Sequence, residues 1–251
     1  MLHFVGAGPG AEDLITIRGL KLLQNADVVI YAGSLVNKKL LENTKSGCEI
    51  YNSATMNLEE IIEVIEKAEE KGLMTVRLHT GDPSIYGAIR EQMDLLREKN
   101  IEFEICPGVS SFCGAAASLQ MEYTLPSVSQ SIIITRMAGR TPVPEKEDIR
   151  KLAVHQATMV IFLSTGLLKE LSFELMEGGY DPKTPAAIVY KATWPEEKIF
   201  QCTIETLEET ARVNEVKKTA LIIVGNVLGD TYELSKLYDA TFTTEYRKGK
   251  E

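Results

Sequence analysis

Chemically able side chains are densest in His79-Thr-Gly-Asp-Pro-Ser-Ile-Tyr-Gly87. An imidazole, a carboxylate, hydroxyls and a phenol share one short stretch, punctuated by Gly81, Pro83 and Gly87. Asp82 and Tyr86 are the candidate catalytic residues, since each could hydrogen-bond a ligand or move a proton. The plainer alternatives are an Asx turn for Asp82 and a satisfied strand-end histidine for His79. A second stretch, Gly6-Ala-Gly-Pro-Gly-Ala11, formally matches the dinucleotide fingerprint G-x-G-x-x-A. That motif needs a helix starting at its glycines, so that amide groups meet pyrophosphate, and an acidic residue closing the second strand. Here Pro9 interrupts the loop, the helix is expected only from Thr16, and the second strand runs into Tyr31-Ala-Gly. Dinucleotide binding is therefore disfavoured.

No nucleophile and base are paired by motif. Ser110 and Ser111 follow Pro107-Gly108 without a G-x-S-x-G elbow. The four cysteines, Cys48, Cys106, Cys113 and Cys202, include no Cys-x-x-Cys, and only three histidines accompany them, so no metal site is expected. The cysteines are expected to be small core residues, and His3 and His155 to be structural. Some reactions ask little of side chains. In methyl transfer from a sulfonium to a carbon nucleophile the electrophile arrives activated, and the enzyme mainly aligns two reactants. Backbone-rich loops at strand ends suit that task.

The elements that would position these loops alternate. Strands are expected at Leu2 to Val5, Val28 to Tyr31, Glu49 to Asn52, Met74 to Leu78 and Glu102 to Cys106. Helices are expected from Thr16 to Asn25, Leu35 to Asn43, Leu58 to Lys71, Ile85 to Lys99 with Ser84 as N-cap, and Ser110 to Leu119. Met74 to Leu78 reads as a short buried strand, with Val76 and Leu78 alternating around Arg77. After a break around Met121 to Ser129, strands are expected at Ser131 to Thr135, Thr158 to Leu163, Ala186 to Tyr190, Glu197 to Cys202 and Ala220 to Val224. The last group includes adjacent strands suited to antiparallel pairing. The expected class is α/β: an N-terminal domain over 1–120 with a mostly parallel sheet, a linker over 121–130, and a C-terminal mixed-sheet domain over 131–251.

Composition narrows the function. The chain has 251 residues and a formal net charge of −9, which argues against a general nucleic-acid binder. No apolar run approaches the ~20 residues of a membrane helix. A strand is expected almost at once, from Leu2, so no signal peptide is expected, and thiols far apart in sequence fit a reducing compartment. A cytoplasmic location is expected.

Five segments, in order along almost the whole chain, resemble those of the tetrapyrrole methylases. They are Val5-Gly-Ala-Gly-Pro-Gly10, Gly81-Asp-Pro-Ser-Ile-Tyr-Gly87, Cys106-Pro-Gly-Val-Ser-Ser111, Ala192-Thr-Trp-Pro-Glu-Glu197 and Thr219-Ala-Leu-Ile-Ile-Val-Gly225. Within that family, Tyr31-Ala-Gly-Ser-Leu-Val36, His79 to Gly87 and Thr135-Arg-Met-Ala-Gly-Arg-Thr-Pro-Val-Pro144 resemble the precorrin-4 C11-methyltransferases of cobalamin biosynthesis. The resemblance implies S-adenosyl-L-methionine as cofactor and S-adenosyl-L-homocysteine as product, held in a cleft between two α/β domains, a tetrapyrrole substrate and a homodimer. By motif, it assigns cofactor contacts to Pro9, Thr80, Gly81, Asp82, Ile85, Tyr86, Ser110 and Ser111. It also assigns them to Leu163, Ala192, Thr219, Ala220 and Leu221.

Corrin precursors carry many carboxylates, so an acidic protein needs a local basic rim. Arg136 and Arg140, on one Gly/Pro-punctuated loop, are the candidates, because arginine grips carboxylates bidentately. Lys191 and Lys198 flank another suspected site loop. Each of these cations could equally be solvated surface. The other activities to weigh are methylation at another tetrapyrrole position, a diphthine-synthase-like reaction on protein, and a non-catalytic nucleotide-binding module.

Overall fold

Short apolar strands alternate with amphipathic helices, and each helix hides its apolar stripe on the sheet beside it. The computed structural model describes residues 1–250. They form two compact units: Met1–Ala115 with Lys191–Glu197, and Ala116–Tyr190 with 198–250.

In the first unit, β1 (Leu2–Gly6), β2 (Val28–Tyr31), β3 (Glu49–Asn52), β4 (Thr75–His79) and β5 (Phe103–Cys106) form one sheet in the order β3-β2-β4-β1-β5. Every pairing in it is parallel. Helices α1 (Ile17–Asn25), α2 (Leu58–Glu70), α3 (Ile89–Glu98) and α4 (Ser111–Ser118) make the connections or follow the last strand. Local chemistry sets their ends. Thr16 caps α1 by accepting from the Gly19 amide at 3.0 Å. Asn57 and Glu60 form a reciprocal capping box on α2, and Gly72 closes that helix at φ 66°. Phe4, Leu2, Ile30, Leu78 and Leu96 are fully buried. Each such side chain contributes about 1.5–3 kcal/mol by leaving water.

In the second unit, β6 (Ile132–Arg136) and β7 (Thr158–Phe162) pair in parallel. The strands β8 (Pro185–Tyr190), β9 (Lys198–Thr203) and β10 (Ala220–Val224) pair antiparallel, giving the order β6-β7-β10-β8-β9. Helices α5 (Ile149–Ala153), α6 (Leu168–Glu177) and α7 (Leu207–Val213) pack on this mixed sheet around Leu171, Leu175, Ile188 and Ile222. The expected α/β class, parallel first sheet and mixed second sheet are all present.

Three local expectations need correction. Leu35 to Asn43 forms no α-helix but short 3-10 turns at Gly33–Leu35 and Lys38–Asn43. Helix α3 starts at Ile89, not Ile85, and Ser84 does not cap it. Tyr86 and Ala88 take left-handed φ of 55° and 50°, which no helix tolerates, so the chain turns through Pro83 to Tyr86 and stays irregular to Ala88. As expected of a buried strand, every position of β4 is buried, Arg77 included. Arg77 is 5% exposed, and its guanidinium donates from Nη1 to the Ile30 carbonyl at 3.1 Å and from Nε to Gln92 Oε1 at 3.3 Å. A strand covered on both faces buries even its polar positions. Among the cysteines only Cys106 is buried; Cys113 is exposed, and Cys48 and Cys202 are half-buried.

Candidate functional site

Parallel strands bring their carboxyl ends to one edge, where open α/β sheets bind ligands. In the first unit β1 and β4 run in register, with Gly6 opposite His79. The two strand exits then bond to each other. The Gly81 amide donates to the Gly8 carbonyl at 2.8 Å, and the Gly8 amide to the Gly81 carbonyl at 3.3 Å. Gly6 and Gly108 lie so close that a Cβ on Gly6 would sit 2.5 Å from the Gly108 Cα. The loops after β1, β4 and β5 are thus stacked backbone on backbone, and they carry Pro9, Thr80 to Tyr86, and Ser110 with Ser111.

Asp82 ties two of these loops. Its Oδ2 accepts from the Gly108 amide at 2.8 Å, and its Oδ1 accepts from the Ser84 amide at 2.8 Å and from the Ser84 hydroxyl. Partial burial pushes the carboxyl up, but the Ser84 hydroxyl and the Gly108 and Ser84 amides together outweigh it and hold it below the usual range. Asp82 is therefore held ionised and clips the two loops together, and it forms an Asx turn with Ser84. Gly81 needs its lack of a Cβ for reasons inside the protein: φ is 58°, and a Cβ would lie 3.3 Å from the Ser111 amide nitrogen.

His79 differs from expectation. It is 4% exposed, and among the described residues its Nε2 has no hydrogen-bond partner. Burial, with a smaller contribution from the Arg77 charge, lowers its pKa to about 3. The imidazole is neutral at any physiological pH. The Cys48, Cys113 and Cys202 thiols are pushed up by burial, so none is a ready thiolate. Among the described residues no group of three His, Cys, Asp or Glu side chains could hold a metal ion.

Sequence reasoning did not anticipate how Lys191–Glu197 is used. The chain leaves β8, joins the first unit for these residues and returns as β9. Trp194 Nε1 donates to the Pro9 carbonyl at 3.1 Å, and Thr193 Oγ1 accepts from the Ala11 amide at 3.0 Å. Asn37 Nδ2 adds a bond to the Gly10 carbonyl at 2.9 Å. The Ala192 side chain is buried beside this contact. Lys191 does not stand free as a basic rim: its Nζ lies 5.0 Å from the centre of the Trp194 ring and 3.5 Å from Glu196.

The second unit collects its candidates on one sheet edge as well. Leu163 follows β7, and Thr219 precedes β10, whose Ala220 is in register with Tyr190 at the end of β8. Antiparallel pairing of β7 with β10 carries Leu163 to the level of Ala220. Leu163 is 68% exposed with φ 52°, and Thr219 has φ 57°. Ala220 and Leu221 are buried in the strand. Arg136 ends β6, but its guanidinium holds its own loop, donating to the carbonyls of Met137, Thr141 and Pro142 at 3.1, 3.1 and 2.7 Å. Arg140 is exposed on that loop.

Left-handed φ in non-glycine residues costs about 1–2 kcal/mol each. Tyr86, Ala88, Leu163, Lys191, Thr193 and Thr219 all adopt it, and all lie in or beside the candidate loops. The same φ range also occurs at Asn100, Gln120, Ser127, Gln156 and Glu215, outside those loops. In the first unit Tyr86 is exposed on the stacked loops, and in the second unit Leu163 is exposed after β7.

Comparison with known proteins agrees. The family described as Tetrapyrrole (Corrin/Porphyrin) Methylases matches residues 1–208. The chain is 59% identical to a cobalt-precorrin-4 C(11)-methyltransferase of Methanocaldococcus jannaschii, over 97% of this chain and 95% of that one. A solved cobalt-precorrin-4 methyltransferase superposes with TM-score 0.89 at 47% identity, covering 91% of this chain and 96% of that one. A uroporphyrin-III C-methyltransferase of Thermus thermophilus, solved with S-adenosyl homocysteine, gives TM-score 0.76 at 27% identity, covering 90% of this chain and 92% of that one. With its sheets, its loop motifs and its near-full-length relatives in agreement, the chain belongs to the tetrapyrrole methylases.

Proposed function

We propose that this chain transfers a methyl group from S-adenosyl-L-methionine to C11 of a precorrin-4-type macrocycle, with cobalt-precorrin-4 as the substrate to try first. The observation that carries this reading is the 59% identity to a cobalt-precorrin-4 C(11)-methyltransferase over 97% of the chain. The stacked loops of the first unit support it, because they offer backbone and small side chains where alignment is needed.

The donor supplies an activated methyl on sulfur. The residues proposed to hold it are Pro9, Thr80, Gly81, Asp82, Ile85, Tyr86, Ser110 and Ser111, with Leu163, Ala192, Thr219, Ala220 and Leu221. Asp82 acts by fixing the Gly81 and Gly108 loops. No general base is assigned: His79 is neutral and buried, Asp82 is ionised and fully engaged, and the ring nitrogens of the substrate can feed electrons to the attacking carbon. The chain's contribution is alignment, which can be worth ~7–11 kcal/mol. Arg140, exposed on its loop, is proposed to meet a substrate carboxylate, with Arg136 shaping that loop. The same reading carries a homodimer and a cytoplasmic location; the free thiols support the latter. Among the described residues no helix is long and apolar enough to cross a membrane.

Calorimetric titration with S-adenosyl-L-homocysteine and with NAD, followed by turnover of metallated and metal-free precorrin-4, tests the proposal. Binding of the first ligand alone, with homocysteine-product formation from a precorrin-4, is the expected outcome. Binding of NAD instead would favour a nucleotide-binding module.

A further inference from the structure

We infer that Trp194 is a positioning residue for the cofactor, acting through the Gly8 to Ala11 loop that it holds. The inference rests on the reading above that this loop, through Pro9, contacts S-adenosyl-L-methionine. Trp194 is the chain's one tryptophan. Its Nε1 donates to the Pro9 carbonyl at 3.1 Å, so the residue assigned to the cofactor is gripped by its own backbone. The indole face also lies against Gly10, where a Cβ would come within 2.0 Å of Trp194 Cδ1 and 2.4 Å of Nε1. The neighbouring Thr193 accepts from the Ala11 amide at 3.0 Å and donates its own amide to Glu197. On the other side, Gly114 packs so closely that a Cβ there would sit 2.8 Å from Pro9 Cβ and 3.1 Å from Thr193 Cγ2.

The segment is held in costly backbone to do this. Lys191 and Thr193 have φ of 48° and 67°, and the Lys191 ammonium lies over the indole ring. Positive φ is common in hairpin connections, but a β8–β9 connection serving only as a turn has no need of a large aromatic and a hydrogen bond to a distant loop. The Gly8 to Ala11 loop, by contrast, has no regular structure of its own to set the direction of Pro9. Its position is set by the Gly81 backbone on one side and by Trp194, Thr193 and Asn37 on the other. Trp194 thus decides where Pro9 meets the cofactor while touching neither reacting atom.

The test uses the full chain and S-adenosyl-L-homocysteine as probe. Trp194→Phe keeps a ring against Gly10 and removes the N–H. It is expected to weaken binding of the probe and raise the S-adenosyl-L-methionine KM about 3- to 10-fold, the loss of one hydrogen bond. The kcat at saturating cofactor is expected to stay close to wild type, and the ligand-free melting temperature to fall by no more than the few degrees that one hydrogen bond is worth. Gly10→Ala displaces the indole sterically and is expected to weaken the probe in the wild-type background. In a Trp194→Ala background it is expected to add little, because the two act through one contact. Wild-type affinity and KM in folded Trp194→Phe would overturn the inference. So would additive losses from Gly10→Ala and Trp194→Ala, which keep the inference testable if Trp194→Phe folds poorly. A wild-type chain that binds no S-adenosyl-L-homocysteine would overturn the cofactor reading itself, and this inference with it.

Discussion

Asp82, Gly81 and His79 sit within four positions of one another and do three different jobs. Asp82 spends its carboxylate on Gly108 and Ser84. In Asp82→Asn one oxygen becomes an amide nitrogen and loses at least one of these acceptor bonds. Cofactor affinity is expected to fall, while kcat at saturating cofactor drops less than the roughly 10²–10⁴-fold that losing a general base costs. Single-turnover methyl transfer with both ligands saturating checks this. Gly81 has φ 58°. Gly81→Ala is expected to lower stability by about 1–2 kcal/mol before any ligand is added, which a denaturant melt of the free chain would read. The cofactor therefore need not be invoked to explain this glycine. His79 sets an acid limit. Its folded pKa of about 3 lies below the unfolded 6.5, so between those values the unfolded chain binds a proton that the folded chain does not. Stability from this group is complete above pH 6.5 and is lost as pH falls towards 3, with a slope of at most about 1.4 kcal/mol per pH unit. His79→Phe is expected to flatten the difference between urea melts at pH 5 and pH 7 relative to wild type.

At the scale of elements, strand positions were largely legible because period-two apolar runs bounded by glycine and proline have few other uses. Val28–Tyr31, Glu49–Asn52 and Ala220–Val224 match the expected bounds, and α2 ends one residue from where its pattern predicts. The start of α3 was not legible. Ile85 to Lys99 has helical periodicity throughout, but backbone strain at Tyr86 and Ala88, a tertiary choice, overrides propensity. Ala88→Gly removes the left-handed penalty at the residue just before α3. It is expected to leave stability unchanged or raise it by up to ~1 kcal/mol, against the usual cost of glycine near a helix, as a thermal melt would reveal. The candidate loops were legible from their glycines and prolines. The grip of Trp194 on Pro9 was not, since the two are far apart in sequence and nothing local marks a pair separated by so many residues. Arg136 shows the converse: residue type suggests a substrate contact, and nothing local in the sequence marks the bonds it makes to the carbonyls of Met137, Thr141 and Pro142 in its own loop.

For the whole molecule, charge sets how substrate arrives. A formal net charge of −9 repels a polycarboxylate over distances of about 10 Å at 0.1 M salt. Raising ionic strength from very low values is expected to increase kcat/KM for the tetrapyrrole, because long-range repulsion is screened before contact pairs weaken. A monotonic fall would show that a local basic face, with Arg140 in it, dominates approach. Arg140→Ala would then be expected to remove part of that fall. The central claim is a methyl group placed at one carbon. The direct measurement is carbon NMR of the product formed from cobalt-precorrin-4 and S-adenosyl-L-methionine labelled with ¹³C in the methyl group. A single enriched methyl attached to C11 is the expected result. Enrichment at another ring position, or S-adenosyl-L-homocysteine formed without a labelled macrocycle, would contradict it.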